Sequence, residues 1–395
     1  MTSLEPTTIP GAYLEHYPKA RAVDPKRAAN YVAHTTIGDP LADAMIVDLE
    51  ELGAERSTKL LQHCMAGKGG EAFRSAPASV REFFEHCAEP PAWLDLAEFL
   101  PGCRMFHRNV PLVLAGMVGG VLVEGFSTNI AKSFFITGRL RDQGVRRLKQ
   151  NNRHMLEIFM PGGMDVYNDG WAHSVRVRLV HAKVRYLLAQ SDDWNEDELG
   201  VPISAAHVGF AIVAFSARSL DYLRKLGASF NKEESRSFMA VWRYSGYLMG
   251  IPETILYHDL EDALETYRIG RLCEPPPSME SIALASSLLN SAPLVAGVTE
   301  TDKRQMLAGD IARVSRALVG KELADELMIP ESATFGILWK IRMLSRIKRL
   351  AERLNPRYSR PVEDITRILD ISMYDEEGIS YKLPDNPYAE LSSKW

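Results

Sequence analysis

Apolar residues recur at steps of three and four along most of the chain, and alternating runs bounded by hairpin turns are nearly absent. That periodicity belongs to helices rather than strands. The stretch from Trp171 to Gln190 contains no Gly or Pro and predicts one long helix. Stepping by three and four from His181 gives Ser174, Val177, Val184 and Leu188, so the imidazole sits within an apolar stripe. Arg178 and Arg185 flank that stripe one turn to either side, and Lys183 is expected on the opposite face.

The same pattern predicts the other elements. A helix over 41–52 follows the turn Gly38-Asp39-Pro40. Ser79 and Glu82 are spaced as a capping box opening a helix that carries Phe83 and Phe84. Val110 to Val123 is the most apolar run, 14 residues long and halted by Glu124. That is short of the ~20 residues of a membrane span, so a core helix is expected. Its glycines suit close helix packing or the approach of a flat ligand. Gly144 to Met160 carries Val145, Leu148, Met155, Leu156 and Phe159 on one face, and Arg147, Gln150, Asn151 and His154 on the other. Helices follow over 205–226, 232–249 (Asn231 and Glu234 in capping-box positions), 300–318, 322–328 and 332–354. The last is basic on one side, with Ile337, Ile341, Leu344 and Ile347 on the other. Such helices can sit on a membrane, though more often they pack with a solvated charged face. Phe210, Phe215, Trp242, Tyr244 and Tyr247 supply aromatic bulk for a pocket or for the core, the core being favoured for most of them. No internal repeat is visible. The expectation is an all-α fold, a single large helical domain over 31–354, with an N-terminal extension (1–30) and a C-terminal tail (355–395).

Composition adds limits. A hydrophobic fraction of 46% and a charged fraction of 25% describe an ordinary globular chain with a sizeable core. A net charge of −5 gives no reason to expect nucleic acid as a partner. Cys64, Cys87, Cys103 and Cys273 lack metal or redox spacing and read as reduced structural thiols. Residues 1–34 show neither an apolar signal core nor a twin-arginine signal, which favours a cytoplasmic location.

Chemistry narrows by elimination. Gly116, Gly119 and Gly120 make neither a Walker nor a dinucleotide pattern, and no GxSxG elbow is present. Glu50, Glu157 and Glu253 lack the His three residues on that a di-iron bundle needs. A buried imidazole with cations beside it suits an axial ligand to a haem whose propionates need partners. It also suits a core histidine satisfied by a backbone carbonyl.

A resemblance favours the first reading. The run Arg-Val-Arg-Leu-Val-His-Ala-Lys-Val-Arg at 176–185 resembles the signature helix of the latex-clearing-protein (rubber oxygenase) superfamily, which includes the MpaB-type oxygenases. The segments at 38–44, 137–140, 146–148, 161–163, 200–203 and 250–253 resemble further landmarks in family order, spanning about residues 30 to 350. The resemblance implies a globin-like helical core enclosing a b-type haem, with His181 the iron ligand and Arg178 and Arg185 beside the cofactor. It implies an oxygenase-type oxidoreductase that uses dioxygen on a small apolar, unsaturated substrate; the alternative is a non-catalytic haem carrier or sensor. It lays the helix over 144–160 across the distal side. There Arg147 matches the family arginine, Gln150 stands at the lysine that caps the iron in some relatives, and Asn151 replaces a threonine. The glutamate taken to be the family's base, 16 residues before Arg147, is Ala131 here, with Glu124 the nearest carboxylate upstream. His154 is then one candidate base. The absence of CxxCH excludes a c-type attachment.

Overall fold

The computed structural model describes residues 4–68, 70–137, 144–354 and 383–386, without the side chains at 144, 146, 147, 352 and 353. Sixteen principal helices follow in order among them. α1 spans Tyr17–Val23, α2 Pro25–Ala33, α3 Pro40–Leu52, α4 Ala54–Met65 and α5 Ala78–Ala88. Next come α6 (Leu100–Arg108), α7 (Val110–Gly125), α8 (Ile130–Ile136), α9 (Gly144–Ile158) and α10 (Asp169–Leu188). The rest are α11 (205–226), α12 (Lys232–Leu248), α13 (Leu260–Cys273), α14 (Met279–Val295), α15 (Thr301–Val319) and α16 (Ile337–Leu354). No strand occurs among the described residues.

Local chemistry sets the boundaries. Asp39 accepts from the Ala42 amide and Pro40 occupies the first turn of α3, which turns the Gly-Asp-Pro sequence into a helix start. Asn231 and Glu234 form the full capping box of α12. The box expected at Ser79 does not form. Pro77 takes the cap position of α5, so Ser79 lies inside the first turn, and its hydroxyl donates to the Asp48 carboxylate of α3.

Two long helices hold a π-turn each, which the apolar pattern did not predict. In α7 it covers Met117–Val121, and in α11 Ala214–Arg218. The helices pack together through Gly120, where a Cβ would come within 2.5 Å of the Tyr222 ring. The glycines of α7 thus admit a neighbouring helix, Tyr222 on one side and Ser315 and Leu318 on the other, rather than a ligand. No single described helix is long and apolar enough to cross a membrane; 96–108 with 110–125 meets the test only as a pair bent by 84°.

The N-terminal residues are part of the body rather than an appendage. Tyr13, Tyr17, Ala20 and Tyr31 are buried, and α1 and α2 pack on α13. The Tyr13 hydroxyl lies 3.0 Å from His207 Nε2, and Tyr31 donates to Glu274 Oε1 at 2.8 Å. His207 Nε2 and Glu274 Oε1 are 3.3 Å apart, fully buried. Burial alone would raise the Glu274 carboxyl; the imidazole and its hydrogen bonds outweigh that and hold it below its ordinary value. Of the tail, Leu383 packs against the core and Pro384 is buried; 355–382 and 387–395 lie outside the described residues.

Candidate functional site

The site is built on α10, the expected long helix. The loop before it closes tightly: Gly163 N–H bonds Met160 O at 2.8 Å, and Trp171 N–H bonds Gly163 O at 3.0 Å. A Cβ at Gly163 would lie 2.1 Å from Glu157 O, so the 161–163 landmark marks a place where only glycine fits. This turn sets α9 antiparallel to α10. Gly170 abuts the Glu157 carbonyl, and His154 Nε2 lies 3.0 Å from Ser174 Oγ. Continuing that register brings Gln150 and Asn151 beside Val177 and Arg178, and the first turn of α9 level with His181.

The two sides of α10 have different characters. Toward α3, its cations are neutralised. Arg178 makes a two-pronged pair with Asp39, at 2.6 Å (Nε) and 2.8 Å (Nη2), and lies over the Phe83 ring at 4.9 Å. Its Nη1 reaches Cys87 Sγ at 3.7 Å. Gly250, at φ +84°, gives this pair room: a Cβ there would lie 2.2 Å from Asp39 Oδ2. Arg185 donates to Asp43 at 2.8 Å and to Ile203 O at 3.1 Å, while its Nη2 is buried with no partner among the described residues. Lys183, expected on the far face, is buried and pairs with Glu50 at 2.5 Å. The sequence signal for these acids was present: Asp39, Asp43 and Glu50 sit on one helix at near-turn intervals, opposite three cations on another.

Toward α9 and α12, α10 presents Ser174, Val177 and His181. Val177 and His181 are half-buried on a helix whose residues are mostly buried. His154, half-buried, is held between Ser174 Oγ at 3.0 Å and Ser245 Oγ at 3.4 Å, the two hydroxyls being 3.0 Å apart. Burial pushes its imidazole down to about 4, so it is a neutral acceptor or donor near pH 7. His173, 6.4 Å away ring to ring, is also pushed well down, first by burial and then by His154 and its arginine neighbours. Trp242 stands edge-on to His154 at 6.1 Å, and Phe159 stacks between Phe106 and Phe238 at 4.6 and 4.8 Å. Two polar atoms in this aromatic surround, His173 Nε2 and Trp242 Nε1, are buried with no hydrogen-bond partner among the described residues. Buried donors of that kind ask for a ligand or water. Ser245 was not singled out for the site, because on α12 it reads as ordinary core, and Trp242 was named only as aromatic bulk for a pocket or for the core.

The remaining expected site residues fall as follows. Gln150 and Asn151 are half-buried on α9. Arg147 belongs to α9, but its side chain lies outside the described residues. Ala131 is fully buried in α8. Glu124 is sealed in the core by Arg218, whose Nη2 and Nε approach it at 2.7 and 3.1 Å.

Whether these residues fit a b-type haem can be judged from α10. A partly exposed imidazole two turns from the His154 cluster could donate to an iron, Val177 beside it is apolar, and Arg185 keeps one buried donor without an acceptor among the described residues. Arg178 is committed to Asp39. The donor set fits, with Arg185 rather than Arg178 free to serve a carboxylate.

Comparisons with known proteins agree with this architecture. The family model for the catalytic domain of ER-bound oxygenases mpaB/B′ and rubber oxygenases matches residues 104–349. A rubber oxygenase of Streptomyces sp. (strain K30) is 23% identical over 184 residues, 45% of this chain and 44% of that protein. The aligned region thus spans less than half of that relative. The structure of latex clearing protein in its closed state covers 85% of this chain and 84% of its own, with a TM-score of 0.62 at 19% identity. At that identity the likeness establishes a common fold.

Proposed function

The chain belongs to the catalytic-domain family of the mpaB-type and rubber oxygenases, and we propose that it is a haem b-dependent oxygenase acting on a small apolar, unsaturated substrate. The observation that carries this is the partly exposed His181 on a mostly buried helix inside the family's matched region. His181 would hold the iron and Arg185 Nη2 would meet a propionate. When bound, haem supplies an iron that takes up and activates dioxygen. The chain's own residues do the rest. Trp242, Phe159, Phe106 and Phe238 pack as an apolar wall that excludes water. Gln150 and Asn151 supply neutral donors, and Arg147 is assigned a charged one. His154, neutral and positioned by two serines, is the group able to hold or pass a proton at Nε2.

The test is the absorption spectrum after reconstitution with haemin. About one haem per chain is expected, lost in His181→Ala and kept in His173→Ala and His207→Ala. A colourless protein, or an unchanged Soret band in His181→Ala, would overturn the reading. Gln150→Lys tests the placement of α9: a low-spin spectrum strengthening with pH is expected as the amine deprotonates.

A second reading, a haem carrier or sensor, has one observation in its favour. The position of the family's glutamate is a buried alanine, and Glu124 is locked to Arg218. Oxygen uptake on adding small alkenes separates the two; uptake supports the oxygenase.

A further inference from the structure

The helix α16 has two apolar faces where a packed surface helix needs one. Ile337, Leu338 and Ile341 are half-buried, facing the end of α11 and α15. Arg349 fastens this side, donating to Gly227 O at 2.7 Å. About half-way round the helix lies a second row: Trp339 (62% exposed), Ile347, Leu350 and Leu354 (77%), with the half-buried Met343 among them, preceded by Phe335 at 97%. Isolated exposed apolar residues are ordinary, but a continuous row of this size marks a binding surface.

Charge identifies the partner. Arg342 and Arg346 run along one border of the row and Lys340 lies on the other, all exposed. Lys340, Arg342 and Arg346 make no ion pair among the described residues, and the helix has no acidic residue before Glu352. This concentration of positive charge stands on a chain whose net charge is −5. A second copy of the same face would set cation against cation. An anionic lipid surface satisfies both features, taking the aromatic and aliphatic row at the headgroup boundary and the cations at the phosphates.

We propose that α16 docks the protein on an anionic lipid surface, with Trp339, Ile347 and Leu350 inserted and Arg342 and Arg346 at the headgroups. The docking stands independently of haem or of any reaction.

Co-sedimentation of the full chain with vesicles tests it, using phosphatidylcholine alone or mixed with phosphatidylglycerol. Binding is expected to the anionic vesicles and to weaken with salt. Arg342→Glu with Arg346→Glu should cut it on the order of tenfold or more, as should Trp339→Ser, Ile347→Ser and Leu350→Ser combined. All five positions are half-buried or exposed, and an unchanged thermal melt would confirm that the variants fold. Equal binding by wild type and variants, or none to anionic vesicles, would overturn the proposal. So would a lipid-free dimer that Trp339→Ser dissociates, which would mean that a second copy covers the row. So would Trp339 fluorescence shielded from acrylamide without lipid, which would mean that the chain's own tail does.

Discussion

The helices α10 and α16 are of similar length, 20 and 18 residues, and invert each other's logic. The first takes Arg178, Lys183 and Arg185 into the interior; the second leaves Trp339, Ile347 and Leu354 in solvent. Residue type alone would place both sets the other way round. In α10 the exception is explained within the chain, because Asp39, Glu50 and Asp43 meet the three cations. In α16 nothing within the described residues covers the apolar row, so its explanation lies outside them. A departure from patterning is thus either answered by a visible partner or points to one elsewhere.

The largest effect expected from breaking this contrast is at Arg178. Removing one member of a buried ion pair leaves the other charge uncompensated, which typically costs about 3–5 kcal/mol. Arg178→Ala should therefore lower the urea midpoint sharply. Arg178→Lys should recover only part, since an ammonium cannot reproduce the two-pronged contact with Asp39. If Arg178→Ala costs under ~1 kcal/mol, the pair is not the closed structure described and the comparison fails.

A pH dependence comes next. His154 is depressed to about 4 from an ordinary 6.5, so between those values the unfolded chain binds a proton that the folded chain refuses. Stability is then fully present above 6.5 and falls as pH drops toward 4. With solvent screening at this half-buried ring, the loss is roughly 1–3 kcal/mol. His173, also depressed, adds to it in the same direction. Urea midpoints across pH 4–7 should show this slope, and His154→Gln should flatten it. An unchanged slope in that variant would assign the effect to other groups.

How much of this was legible in the sequence follows from the same contrast. The helical pattern, the start of α3, the capping box of α12 and the central position of α10 rest on local spacing, which periodicity and cap residues report. Helices α1, α2, α4, α6, α8, α13 and α14 were not predicted; most are short, and α14 is rich in alanine and serine with a proline inside it. The π-turns in α7 and α11 insert a residue without disturbing composition. Lys183 was placed outward because its partner, Glu50, is remote in sequence. For the site, His181 could be picked out by pattern and resemblance. The Ser174–His154–Ser245 cluster depends on three helices meeting, which no single stretch records.

The smallest expected effect makes the sharpest test of α16, because it uses one substitution at two positions. Ile341 and Ile347 are six residues apart on the same helix; the first is half-buried against the body, and the second is 57% exposed. Ile341→Ser removes apolar area that folding buries, a loss of roughly 1 kcal/mol for a partly covered side chain. Ile347→Ser exchanges one solvated group for another and should stay within about 0.5 kcal/mol of wild type. Helix propensity hardly separates them, since both change isoleucine to serine in a helix interior. If the two variants melt alike with a clear loss, the outer row is covered in solution and α16 has one buried surface rather than two. If Ile341→Ser alone loses stability, the outer row contributes nothing to the fold, and its apolar character has to be explained by what the protein binds.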